Sequence, residues 1–264
     1  MAPPNRPYTT KLGAGLGLIE ETNALLTLWS PGMSTGDLYR VALESGRFPT
    51  VTARRLRNVV MECFAPRYLV NGGAPARHLK GLVSVLESIE IQQLMFIYTC
   101  RANPVLGDFV RRVYWERYAG GYTILTNDDA RTFIRRAIDD EKTSMRWADT
   151  MVSRVSAYLV GCCADYGLLE RGRRSDRKIL SFRIAPNVAT YLAYDLHLRE
   201  GVGDNALLDH EDWQLFGLSR EDVLDELKRV GLRGLLIVQA AGNAIRIGWK
   251  YADMEALCDV LAHS

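Results

Sequence analysis

Eight consecutive residues, Arg171 to Lys178, hold five positive charges, Arg171, Arg173, Arg174, Arg177 and Lys178, against the single carboxylate of Asp176. Guanidinium and ammonium groups this dense in a short turn suit phosphate, because they donate charge-assisted hydrogen bonds and release counterions from a nucleic-acid backbone. Solubility does not require such density. A second set, Arg54, Arg57 and Asn58, offers the side chains whose donors match guanine and adenine edges in the major groove; a solvated face on an ordinary bundle helix is the alternative. In a third set, Arg111, Arg112 and Arg117 are interleaved with Trp115, Tyr118 and Tyr122. That composition could stack single-stranded bases, although an amphipathic helix with its aromatics in the core is the favoured reading.

The elements that must carry these groups follow from periodicity. From Met145 to Tyr166, Ala148, Met151, Val152, Val155, Leu159, Cys162, Cys163 and Tyr166 recur at the spacing of one helix face. Arg146 and Arg154 fall off that face and join the candidate DNA contacts. Gly167 breaks the helix, Leu168 and Leu169 run briefly, the basic loop follows, and Leu180, Phe182 and Ile184 alternate with Ser181 and Arg183 as a half-buried strand does. Helix, hairpin and basic tip in that order read as a winged helix. Upstream, a helix is predicted over Leu16 to Trp29 and a second capped by Thr35 through about Ser45. After a Gly46-Arg47-Phe48-Pro49 turn, a third runs from about Thr50 until Pro66 ends it, with Leu56, Val59, Val60, Cys63 and Phe64 inward. The last two form a candidate helix-turn-helix.

The centre is more apolar. Leu79 to Cys100 reads as one helix buried on most sides, and Asn103-Pro104 opens another to about Tyr118. Thr126 with Asp129 makes a capping box for a helix through Asp140. Near the C-terminus Ser219 can cap a helix ended by Gly231, with strands at Leu235 to Gln239 and Ala244 to Trp249 around a four-residue loop, then a helix from about Ala252 to Ala262. This unit repeats the winged grammar with the opposite charge: Glu221, Asp222, Asp225 and Glu226 would repel phosphate, so protein contact is its expected role.

Charge bears this out along the chain. The net charge of the 264 residues is only +2, yet from Asp195 onward seven Lys and Arg face thirteen Asp and Glu. The C-terminal quarter is acidic and the rest is basic. Four segments are expected: a helix-turn-helix unit at 1–75, a helical core at 76–142, a winged unit with a basic wing at 143–200, and an acidic winged-helix-like unit at 201–264. Five cysteines without a C-x-x-C pair read as buried thiols of a reducing compartment. With no long apolar run, the expected location is cytoplasmic, away from membranes.

Catalytic patterns are absent. Gly13-Ala14-Gly15-Leu16-Gly17 lacks a preceding strand and the third spacing of a dinucleotide loop. His78, His197, His210 and His263 are dispersed, and Asp139-Asp140-Glu141 reads as a solvated helix end. No catalytic residue, metal or cofactor is expected.

Basic helical units around an apolar helical centre give the chain its resemblance to the BrxA family, small subunits of BREX phage-defence systems. The resemblance covers most of the chain and rests on Tyr8-Thr9-Thr10-Lys11-Leu12, on Arg54-Arg55-Leu56-Arg57, on Asp108-Phe109-Val110 after the apolar centre, and on the Leu159 to Leu169 helix end before a wing. It implies a mostly helical, cytoplasmic, non-catalytic protein that binds double-stranded DNA through positive helix-turn-helix surfaces, with a fold partly similar to the antitermination factor NusB and with other BREX proteins as partners. Carried onto this sequence, those surfaces are Arg54, Arg57, Asn58 and the Arg171 to Lys178 wing. The acidic C-terminal helix has no counterpart in that picture. An RNA-binding antitermination-like module and a structural protein adaptor remain alternative functions.

Overall fold

The structure, a computed structural model, describes residues 7–11, 17–172, 175–242 and 244–263. It divides into two units, Met1–Arg77 with Met95–Phe182, and His78–Leu94 with Arg183–Ser264. The fold is mainly helical with two small antiparallel strand pairs, as expected from the sequence.

The first unit opens with α1 (Ile19–Leu28) and α2 (Thr35–Glu44). Ser34, one residue before the predicted Thr35, caps α2: its hydroxyl accepts from the Asp37 N–H at 3.1 Å. A continuous helical run then comprises α3 (Ala53–Asn58), a π-helical turn (Val59–Phe64) and α4 (Ala65–Tyr68). Leu56, Val59, Val60, Cys63 and Phe64 are all buried, as their spacing predicts. Pro66 does not end this run. The ladder widens ahead of it, with the Ala65 N–H reaching the Val60 carbonyl, so the proline ring is not forced against a tight preceding turn.

The predicted helix over Leu79 to Cys100 is two helices, α5 (Ala74–Leu82) and α6 (Ser88–Ala102). The break has a local cause: the Glu90 carboxylate accepts from the Glu87 N–H at 3.1 Å and starts a new helix there. From Glu90 to Cys100, α6 is buried almost all round. The chain continues through α7 (Pro104–Phe109), a π turn (Val110–Tyr114), α8 (Trp115–Ala119), β1 (Ile124–Thr126), α9 (Asn127–Asp139), α10 (Asp149–Asp165) and β2 (Asp176–Lys178). The Thr126–Asp129 capping box forms on α9 in both directions. Helix α10 begins four residues later than the Met145 start that periodicity suggests, and Met145 itself is 70% exposed.

The second unit adds α11 (Pro186–Glu200), α12 (Asp204–Leu207), a 3-10 turn (Trp213–Phe216), α13 (Arg220–Leu232), β3 (Leu236–Ala241), β4 (Ala244–Trp249) and α14 (Met254–Leu261). Helix α11, not anticipated above, is the core of this unit: Tyr194 donates to the Leu235 carbonyl at 2.6 Å and accepts from the Lys250 N–H at 3.0 Å. Ser219 and Asp222 form the capping box of α13. The β3–β4 register pairs Ala241 with Ala244, so two residues rather than four make the turn; Gly242 there has φ +56°, while Asn243 lies outside the described residues.

Candidate nucleic-acid interface

The described cations of the candidate set all lie in the first unit. The wing is built differently from a simple hairpin. After α10, Gly167 takes φ +81°, a left-handed conformation that suits glycine and reverses the chain. Leu169 bridges Ile179, the Glu170 N–H donates to the Lys178 carbonyl at 2.9 Å, and the Leu180 N–H donates to the Leu168 carbonyl at 2.9 Å. The named partner of β2, however, is β1: Ile124 faces Lys178, Leu125 faces Arg177 and Thr126 faces Asp176. The run of Thr123, Ile124 and Leu125 after Gly120-Gly121 was the available sequence signal for β1, since β-branched residues after a glycine pair favour a strand. The predicted strand at Leu180 to Ile184 keeps its alternating burial, Phe182 and Ile184 in and Ser181 and Arg183 out, but forms no ladder.

Arg171 and Lys178 are exposed at the base of the basic loop, and the Arg171 guanidinium donates to the Asp165 carbonyl at 3.3 Å, tying the loop to the end of α10. Arg177 is half-buried, with its Nε shielded and without a hydrogen-bond partner among the described residues. It lies near the Cys163 thiol, which burial pushes well above the ordinary thiol range while the arginine pulls weakly the other way. Arg173 and Arg174, central to the predicted site, lie outside the described residues, as does the Gly13 to Leu16 run.

On α3, Thr52 caps the first turn by accepting from the Arg55 N–H at 3.3 Å. Arg54 and Arg57 project from the side opposite buried Leu56, are exposed, and have no side-chain partner among the described residues; Asn58 beside them is half-exposed. Residues 45–52 join α2 to α3, twice the four-residue turn that the sequence suggests. Arg154 is exposed on α10 with its guanidinium on the Met151 sulfur at 3.2 Å. Arg146 precedes α10 and is already committed to Asp139 at 3.9 Å, beside the Arg135–Asp149 pair at 3.5 Å. Among the described residues, no hydrogen bond or ion pair joins Arg54 or Arg57 to the wing.

In the second unit the acidic face is smaller than its sequence suggests. Glu226 is buried between Arg183 at 3.5 Å and Arg229, and Asp222 serves the Ser219 cap, whose hydrogen bonds hold its carboxyl below the usual range. Glu221 and Asp225 remain at the surface. Among the described residues no cluster of histidine, cysteine and carboxylate could hold a metal ion, and no helix is long and apolar enough to cross a membrane.

Comparison with known proteins places this geometry in a family. No curated protein matches the sequence. A crystal structure of an uncharacterized protein from Magnetospirillum magneticum is similar in fold, with a TM-score of 0.58 at 16% identity, over 80% of this chain and 98% of that one. The BrxA family model matches residues 6–195, a span holding α1 to α10, both strands of the wing and the first two-thirds of α11. The chain therefore belongs to the BrxA family, which is associated with BREX phage defence.

Proposed function

We propose that this protein is a non-catalytic, cytoplasmic accessory subunit of a BREX-type bacteriophage-resistance system that binds double-stranded DNA largely through phosphate contacts. The observation that carries the reading is the unspent charge of the first unit: Arg54, Arg57 and Lys178 are surface cations without an acidic partner among the described residues. Cations that already neutralise a carboxylate gain less from a phosphate, so Arg146 contributes less than these. The Arg171 to Lys178 wing adds Arg173 and Arg174, and contacts of this kind position a protein on DNA without reading bases. Protein contact with other BREX subunits falls to the second unit, where Leu232 is 89% and Ile237 64% exposed and Glu221 and Asp225 are also at the surface.

Fluorescence anisotropy on unrelated 20-base-pair duplexes across a salt series tests the DNA reading. Each phosphate contact contributes a slope of about 0.9 in log Kd against log salt. Replacing Arg171, Arg173 and Arg174 with alanine lowers the slope by roughly two to three, similarly on every duplex. An unchanged slope removes the wing from the interface; a loss confined to one duplex refutes low sequence specificity. Single-stranded RNA outcompeting duplex DNA favours the antitermination-like alternative, and no retention even at low salt favours the adaptor.

A further inference from the structure

The aromatic-basic stretch after the apolar centre does not do what its favoured reading expects. Tyr114 is buried, but Tyr118 is 42% and Tyr122 57% exposed. Tyr122 is nevertheless held in place. Its N–H donates to the Arg117 carbonyl at 3.0 Å, and Gly121 before it has φ +75°. Its ring lies on Gly120: a Cβ there would stand 3.0 Å from Tyr122 Cε2 and 3.1 Å from Cδ2. The Arg117 guanidinium sits over the ring, 4.4 Å from its centroid, and is itself clamped by Asp129. The other Asp129 oxygen closes the α9 cap through Thr126, so this carboxylate is spent.

The stacked Tyr122 and Arg117 form one wall of a cleft of about 550 Å³, wholly within the first unit. That volume suits one small ligand and is too small for a duplex. Three further cations line it. Arg136 is exposed and has no side-chain partner among the described residues. Arg112 and Lys142 share one carboxylate, Asp108, at 3.9 and 3.5 Å, and Asp108 also accepts from the Tyr8 hydroxyl at 2.5 Å and from Arg111 at 3.4 Å. Asp108 is thus shared by Arg112 and Lys142, and the cleft lining as a whole holds the four cations Arg112, Arg117, Arg136 and Lys142 against the three carboxylates Glu116, Asp129 and Asp140. Glu116 and Asp140 also line the cleft, exposed and without side-chain partners among the described residues.

We propose that this cleft binds a single nucleotide with an amino-bearing base, its phosphate taken by Arg112, Arg136 and Lys142, its base stacked on the Tyr122–Arg117 pair. Carboxylates near a phosphate site would be a liability unless the ligand also brings donors, and the exocyclic amino groups of guanine, adenine and cytosine do so; thymine has none. Aromatic rings and arginine planes are the usual platforms for an unpaired base. The ligand is a free nucleoside monophosphate or an unpaired nucleotide of a strand. The wall joins the wing directly, since the Thr123 carbonyl accepts from the Ile179 N–H at 2.9 Å.

Calorimetric titration of the full chain with dGMP, dTMP and a 5′-phosphorylated single-stranded hexamer tests the assignment. Stacking is worth about five- to a hundredfold per base, so Tyr122→Ala weakens dGMP about tenfold or more, Tyr122→Phe retains it, and Arg136→Gln weakens it several-fold. The exposure of both side chains keeps these variants folded, which circular dichroism verifies. dTMP binds more weakly than dGMP. dGMP as tight as the hexamer assigns a free nucleotide, and a tighter hexamer assigns a strand. Absence of binding by both, or affinities that neither Tyr122→Ala nor Arg136→Gln changes, overturns the proposal. The alanine triple variant of Arg171, Arg173 and Arg174 retains dGMP, so the wing reading and this one can fail separately.

Discussion

Gly72 and Gly73 allow a paired test of how the first unit is held. Both have positive φ, +66° and +78°. Nothing lies within 4 Å of a Cβ added at Gly72, whereas one at Gly73 would stand 2.7 Å from Trp29 Cζ2 and 3.2 Å from Cη2. Trp29 is 2% exposed and closes the end of α1, the helix packed against α2 and the π turn that continues α3. Gly72→Ala therefore meets only the left-handed backbone term, about 1 kcal/mol. Gly73→Ala meets that term plus overpacking against a rigid indole, about 1–3 kcal/mol more. At roughly 2–4 °C per kcal/mol for a chain of this size, the expected losses in Tm are about 3 °C for Gly72→Ala and about 6–12 °C for Gly73→Ala. Differential scanning calorimetry with urea denaturation followed by tryptophan fluorescence measures both. Equal losses in the two variants would refute the placement of Trp29 against Gly73.

The cysteines supply a second test. All five are free and buried, so Ellman's reagent labels none in the native protein and all five in urea. Burial pushes the Cys162 thiol up to about 12 and the Cys258 thiol likewise to about 12. The unfolded thiols titrate near 8.5, so between about pH 9 and 12 the folded state binds more protons; stability is full below that window and falls as pH rises through it. A flat alkaline limb in urea midpoints would contradict this. At the acid end, Asp222 is held below its ordinary range by Ser219, so its contribution is present above about pH 4 and lost as pH falls. Ser219→Ala should cost about 1 kcal/mol at neutral pH and less at pH 3.

Signals confined to a few neighbouring residues were legible in the sequence. The Thr126–Asp129 box forms as predicted and Ser219 caps α13 as predicted, with Asp222 completing a box there, because the partners lie three positions apart in any chain that starts a helix there. The buried stripe Leu56, Val59, Val60, Cys63 and Phe64 was readable for the same reason. Its passage through Pro66 was not, since a π turn depends on ladder geometry that spacing does not reveal. The apolar run through Leu79 to Cys100 concealed a helix break set by one side chain, Glu90.

The sequence by itself determined the helical class, most of the inward faces, though not those of Val41, Val85 and Ile89, which are exposed, the acidic and basic partition and, through the order of its basic and apolar segments, membership of the BrxA family. Tertiary structure decided which charges are free. Glu226 looks like surface charge and is buried between two arginines, and Arg146 looks free and is paired, whereas Arg54 and Arg57 are exposed as their sequence reading expects. It also decided that β2 pairs with β1, joining Ile124 to Lys178, and that Tyr122 stands exposed on Gly120 at the mouth of a charged cleft. The physical reason is the same in each case. Capping and amphipathicity are local energies, written in neighbouring residue types, whereas pairing, burial and exposure of a charge depend on what distant chain segments bring to it.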